Sequence, residues 1–346
     1  MSQVISLLRS GANFLSLSRQ QPQLFEQVLQ YQLSNGVQVT IHAEGIIEFK
    51  PAHNSAKDIV YSCGVHGNET APIEICDELV SDILSGELAL KHRLLVIFGN
   101  LPAMDIAQRF VHENMNRLFD GEHANPQVET NPERVRAALL EQCVANFFNV
   151  EHGQERERYH YDLHTAIRDS KNEKFAVYPF LHGRKHKAEQ LQFLLACGVN
   201  TILLSESPTT TFSYHSSKHF HADAFTVELG KVMPFGENDM TRFAGARTTL
   251  RAFVSETELS FPDYNEAEFF IYRVNQVINK QHDDFELCFS DAMPNFSDFK
   301  KGDQFARETG ATYAAEQDGE AIVFPNANVA IGQRALLTVV PTSLFG

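Results

Sequence analysis

Residues 58–63 form an apolar run that reads as a β-strand, and it ends abruptly on Gly64-Val65-His66-Gly67-Asn68-Glu69. A strand closing on a glycine-flanked loop lets the backbone approach a neighbour closely and aims short side chains at one spot. Residues 69–84 then place Ile75/Cys76, Leu79/Val80 and Ile83/Leu84 at four-residue steps, a helical face with Asn68 as N-cap and Gly86 as stop. Strand, glycine loop and helix in immediate succession commit this stretch to an α/β unit. Residues 94–98 are apolar throughout, as in a strand buried on both faces.

The pattern repeats along the chain. Further strands are expected at 37–41, 45–49, 159–163, 175–178, 201–204 and 224–229. Helices are expected at 24–29, from Pro132 with Val135, Leu139, Cys143 and Phe147 on its face, around 185–196 and at 239–254. Residues 120–131 are polar and turn-rich, a loop. Strands alternating with helices predict an α/β fold, a mixed central sheet with helices on both faces, over residues 1–285. From residue 286 the texture changes to polar loops and short alternating runs at 321–324 and 335–340, which predict a small β-rich C-terminal module over 286–346.

A net charge of −15 with no basic stripe excludes nucleic acid as partner, because phosphate would be repelled. Cys63, Cys76, Cys143, Cys197 and Cys288 are odd in number and lack a Cys-x-x-Cys pair, so free thiols in a reducing compartment are expected. Arg9 and Arg19 interrupt the N-terminus before any signal-peptide core, and no stretch approaches a membrane span. The expected location is the cytoplasm.

Four segments carry chemistry. His66 and Glu69, at i and i+3, suit a divalent zinc-type ion, and His164 in Tyr161-Asp162-Leu163-His164-Thr165 offers a third ligand. Two His and one Glu with a position left open are the ligand set of a catalytic zinc site. Asp162, two residues before His164, shares its strand face and can orient a ligand. Glu228 is a lone carboxylate in the otherwise apolar 225–230 stretch, and at the edge of a metal site it becomes a general base. Asn116-Arg117 sets an amide beside a guanidinium, a device for gripping a carboxylate. His215, His219 and His221 form a rival set without a carboxylate in register and read as a polar loop. No Gly-x-Ser-x-Gly elbow is present, which disfavours a serine hydrolase.

His66-Gly-Asn-Glu69, Asn116-Arg117 with Phe119-Asp120, Asp162-Leu-His164 and Val227-Glu228-Leu-Gly230 occur in the order and spacing of the zinc carboxypeptidase-like superfamily. More narrowly, the chain resembles its aspartoacylase and succinylglutamate desuccinylase branch across residues 55–235. The resemblance implies one zinc ion per chain on His66, Glu69 and His164, and Glu228 as catalytic base and proton shuttle. It implies Asn116 and Arg117 as substrate-carboxylate ligands and Arg109 as the group polarising the scissile carbonyl. The implied substrate is a small anionic N-acylamino acid, N-succinylglutamate of arginine catabolism by the succinyltransferase route. Another N-acylamino acid, a peptide C-terminus, or a binding module without catalysis are the alternatives.

A substrate with three carboxylates needs cations concentrated at the cleft, and Arg109, Arg117 and Arg168 are the candidates. Competing readings are a surface arginine for Arg109, a scaffold ion pair for Arg168 and a solvent-facing edge carboxylate for Glu228. The branch's C-terminal substrate-binding tyrosine has no equivalent between Phe324 and Ala335.

Overall fold

A computed structural model of the chain describes residues 2–53, 56–149 and 156–345. Its spine is one mixed sheet of thirteen strands among the described residues. The centre is parallel: Arg93–Phe98, Lys57–Cys63, Glu157–Ala166 and Asp223–Lys231 lie side by side. Phe175–Tyr178 joins antiparallel to Asp223–Lys231 and continues through Thr201–Leu204 to Phe270–Asn279. The hairpin of Gln38–Ala43 and Ile46–Lys50 borders the other side.

Burial on both faces follows from the two-residue period of a strand. Tyr61, Cys63, Leu94, Val96 and Phe98 pack with Ile73, Cys76 and Leu79 of the Thr70–Ser85 helix and with Leu191 and Leu250. Val60, Leu95 and Ile97 face the other way, onto Leu140, Val144 and Phe147 of the Pro132–Asn149 helix. Helices therefore cover both faces, as the strand–helix alternation predicts. The Thr70–Ser85 helix ends on Gly86 in the left-handed region (φ 84°).

Four local expectations fail. Asn68 is not the cap of the Thr70–Ser85 helix: Glu69 takes that position, turned towards His66 and His164, and no side chain caps the helix start. Residues 24–29 do not form a helix: a short 3-10 turn at Pro22–Phe25 gives way to the strand Leu29–Gln32, whose Leu29 is captured by pairing with Ile41. On the Pro132–Asn149 helix, Val135 and Leu139 are exposed, because Ala137, Leu140, Val144, Phe147 and Phe148 set the buried stripe. The segment read as a polar loop is the helix Phe212–Phe220, whose serines are buried and bonded. Ser213 Oγ meets Thr226 Oγ1 at 2.8 Å and Ser216 Oγ meets His160 Nδ1 at 2.7 Å.

The C-terminal part continues the sheet. Phe270–Asn279 pairs with Arg334–Pro341, which pairs with Glu320–Val323, and a separate three-stranded sheet of Glu286–Leu287, Gln304–Glu308 and Ala311–Ala314 lies beside it. Alternation again splits the strand: Leu337 and Val339 pack with Phe175 and Val274, Leu336 with Phe305 and Ile322. Four cysteines are buried and free, and Cys288 is exposed and free. Among the described residues no helix is long and apolar enough to cross a membrane.

Candidate active site

Sheet register brings the site together. Cys63 pairs with Leu163, so His164 stands one residue beyond, and His164 pairs with Glu228 across the next parallel ladder. All lie at the carboxyl ends of parallel strands, where open α/β sheets collect ligands. The glycines of the 64–69 loop are steric necessities. A Cβ on Gly67 would sit 2.3 Å from the backbone of Ala103 and Met104, and Gly64 holds φ 64°. Gly67 N donates to Arg109 O at 3.1 Å, tying the loop to the segment that carries Arg109.

His66, Glu69 and His164 are buried, and one ligand atom of each falls within 4.8 Å of the others. His66 Nδ1 is 2.9 Å from Glu69 Oε1, and His164 Nδ1 is 2.8 Å from Glu69 Oε2. Each imidazole is held from its other nitrogen: His66 Nε2 by Asn114 Oδ1 at 2.9 Å, His164 Nε2 by Asp162 Oδ2 at 2.8 Å. Asp162 Oδ1 accepts from Ser62 Oγ at 2.6 Å, and that hydroxyl also meets His160 Nε2 at 2.8 Å. Outer partners that fix ring orientation and leave one nitrogen inward are the usual support of a metal-binding histidine.

The donor set fits a zinc-type cation. His66 Nδ1, despite its short approach to Glu69, is misaligned for a hydrogen bond and stays buried without one. Burial, with the Arg109 charge, pushes His66 down to about 4, so the ring is neutral and its lone pair available. Burial opposes ionisation of Glu69, but His66, His164 and Arg109 hold the carboxyl well below the usual range. Burial likewise opposes charge on His164, and the Asp162 and Glu69 carboxylates overcome it, raising that imidazole well above its ordinary value. A cation between these groups would replace the proton on His164.

Glu228 is not an edge carboxylate. Its strand is interior, its side chain is buried, and Oε2 has no partner. Burial first, then the Glu69 charge, raise it to about 7 against the pull of His164 and Arg109.

The arginines and amides divide. Arg109 Nη1 donates to Glu69 Oε1 at 2.6 Å, and its guanidinium makes no other hydrogen bond among the described residues. Asn116 is buried, with Oδ1 accepting from Phe212 N at 3.2 Å. Arg117 Nη1 donates to Asn116 O at 2.8 Å and meets no carboxylate among the described residues. Burial and then the charges of Arg334 and Arg109 push Arg117 well down, so three guanidiniums lie within mutual electrostatic reach. Arg168 reaches the C-terminal module, donating to Met293 O at 2.8 Å and Pro325 O at 3.4 Å.

His215 and His219 gain the carboxylate their sequence lacks. Asp120 comes within 2.7 Å of His219 Nε2, though Lys218 Nζ shares the same carboxylate at 2.8 Å and opposes a cation there. His221 stands outside this group.

Sequence reasoning missed Asn114, Ser62, His160 and Arg334. Asn114 lies two residues before the Asn116-Arg117 pair, and that nearness was its only signal. Arg334 follows a Gly332 turn at the start of a strand and carries no motif.

A mixed α/β sheet with this cluster at its strand ends and a protonatable acid beside it is the architecture of hydrolases acting on linear amides. Residues 55–254 match the succinylglutamate desuccinylase/aspartoacylase catalytic domain, and residues 267–342 match the AstE/AspA barrel-sandwich hybrid domain. The chain belongs to the succinylglutamate desuccinylase/aspartoacylase family. It is 60% identical over 342 residues to the succinylglutamate desuccinylase of Pseudoalteromonas atlantica, covering 99% of this chain and 97% of that one. The enzyme of the same name from Idiomarina loihiensis is 50% identical, over 95% of this chain and 96% of its own. Among solved structures, the succinylglutamate desuccinylase of Chromobacterium violaceum superposes with TM-score 0.82 at 42% identity, over 95% of this chain and 98% of its own. That of Vibrio cholerae superposes with TM-score 0.85 at 35% identity, over 95% and 94%.

Proposed function

We propose that this chain is a cytoplasmic hydrolase that cleaves N-succinyl-L-glutamate to succinate and L-glutamate, the deacylation of arginine catabolism by the succinyltransferase route. His66, Glu69 and His164 would hold one zinc ion, with His66 Nδ1, the Glu69 carboxylate and His164 Nδ1 as the atoms turned towards one another. When bound, zinc supplies a Lewis acid that polarises the amide carbonyl and acidifies water. The observation that carries the reading is Glu228: a buried carboxyl with an unpartnered oxygen, raised to about 7, beside His164 in register. A group balanced between its two protonation states near neutral pH is suited to accept a proton and return it. Glu228 takes the proton of the attacking water and delivers it to the departing glutamate nitrogen.

Arg109 steadies Glu69 through one nitrogen, which leaves its remaining donors for the developing oxyanion. Asn116 and Arg117 bind a substrate carboxylate; the unanswered charge of Arg117 supports this. Arg168 acts at the rim of the same cleft, its bonds to Met293 and Pro325 tying the end of the His164 strand to the C-terminal loops. The functional division runs at residue 286, with Phe270–Asn279 shared as the joining strand. Five free thiols, one of them exposed, suit a reducing compartment.

The test is release of primary amine from N-succinylglutamate, N-acetylaspartate and a C-terminal peptide by metal-loaded protein. The proposal expects the first to dominate kcat/KM by at least tenfold. Equal turnover of all three, or none of the first, would overturn it.

A further inference from the structure

Three guanidiniums lie within electrostatic reach of one another, and one of them comes from outside the catalytic sheet's helical layers. Arg334 opens the Arg334–Pro341 strand of the C-terminal module, paired with Asn279. Its guanidinium carbon lies 5.5 Å from the centre of the Phe324 ring. Phe324 occupies the left-handed region at φ 54°, a strained position for a bulky residue. The buried side chain of Asn295 secures it, its Oδ1 accepting from Phe324 N at 2.9 Å. The Phe324 ring packs at 5.5 Å on Phe175, and Phe175 stands directly opposite Glu228 in the antiparallel ladder. Residues opposite one another share a sheet face. Two ring contacts thus lead from the proposed proton carrier to Arg334.

The surroundings of Arg334 lack an anion. Its Nε is buried without a partner, and among the described residues no carboxylate pairs with it. Burial and then the Arg109 charge lower it to about 10, and Arg334 in turn depresses Arg117. A half-buried guanidinium with its Nε shut off from water, close to two other positive charges, is unfavourable unless an anion completes the set. In a chain of net charge −15 the missing counter-charge is not for want of acidic residues.

We infer that Arg334 of the C-terminal module is a specificity-determining residue that holds one substrate carboxylate remote from the scissile amide, while Asn116 and Arg117 hold another. This rests on the N-succinylglutamate reading above. Arg334 then selects polyanionic N-acylamino acids, and the strained Phe324 platform sets the height of its planar fork.

The experiment compares wild type, Arg334→Gln and Arg334→Lys, all zinc-loaded, on N-succinylglutamate and on three analogues with one carboxylate each replaced by carboxamide. Arg334→Gln is expected to raise KM roughly ten- to a hundredfold with kcat nearly unchanged, the mark of lost uniform binding. Wild type should discriminate against all three amides, and Arg334→Gln should become indifferent to just one. Arg334→Lys should recover part of the affinity, since it keeps the charge but not the fork. A natively melting Arg334→Gln that matches wild type, or still rejects all three amides, overturns the inference and leaves the hydrolase reading standing. A wild type inert on N-succinylglutamate ends both. Where Arg334→Gln fails to fold, Arg334→Lys carries the test: a KM indistinguishable from wild type counts against the role.

Discussion

Glu228 is costly where it stands, and the sign of that cost can be measured. The folded protein holds its carboxyl at about 7 against an ordinary glutamate value of 4.5. Between those values the unfolded chain releases the proton and the folded chain keeps it, so stability falls as pH rises from about 4.5 through about 7. Above pH 7 the penalty levels at roughly 3 kcal/mol. Metal-free Glu228→Gln should therefore melt higher than metal-free wild type at pH 8, with the gap closing towards pH 4.5. A gap that is constant with pH would contradict burial as the cause. In the zinc-loaded enzyme the same substitution should lower kcat on the order of a hundredfold or more and leave zinc content unchanged. His164 gives a complementary reading. Its neighbours Asp162 and Glu69 raise it well above its ordinary value in the metal-free chain, so zinc uptake near neutral pH should release protons, measurable with an indicator dye in weak buffer, and no release would contradict the reading. These residues were legible because His, Glu and Asp recur at spacings that metal chemistry requires. Asn114 and Arg334 were not, because a lone amide or guanidinium acquires meaning only from what lies opposite it in space.

At the scale of elements, the turn after Lys57–Cys63 decides whether the site exists. Gly67→Ala would drive a methyl group to 2.3 Å from the Ala103–Met104 backbone, which cannot yield as a side-chain tip can. That variant should lose most of its zinc affinity in a chelator competition and melt lower; native affinity would show that the loop adapts. The strands and most helices were readable because alternation and four-residue steps record burial directly. The 212–220 segment was not, because its serines and histidines read as solvent-facing while the fold buries and bonds them against Thr226 and His160. Polarity marks exposure only where hydrogen bonds cannot be supplied from within. The 24–29 stretch misled for the opposite reason: its apolar spacing was too short to choose between a helical turn and a strand edge.

At the scale of the whole molecule, the sheet is fastened below the site by a buried charge knot. Arg93 donates to Asp58 Oδ1 at 2.9 Å, and Arg156 donates to both Asp58 oxygens at 2.7 and 2.8 Å. Asp58 and Arg93 are fully buried. Asp58→Asn removes the carboxylate that both guanidiniums share, leaving Arg93 the longer contact to Glu48 at 3.4 Å, and should destabilise by roughly 3–5 kcal/mol, read as a large fall in melting temperature. Neutralising the exposed Lys171–Asp298 pair should leave melting nearly unmoved. The continuous sheet also explains why a module boundary is hard to see in sequence. Phe270–Asn279 bonds to Thr201–Leu204 on one edge and to Arg334–Pro341 on the other, so hydrophobic patterning crosses the join without a break.

The central claim is that His66, Glu69 and His164 hold one catalytic zinc beside Glu228. Its most direct test is turnover of N-succinylglutamate while chelator-stripped protein is titrated with zinc. Activity should rise linearly to a plateau at one zinc per chain, with a flat line for His164→Ala. Full activity in the stripped protein, or an unchanged titration in His164→Ala, would contradict it.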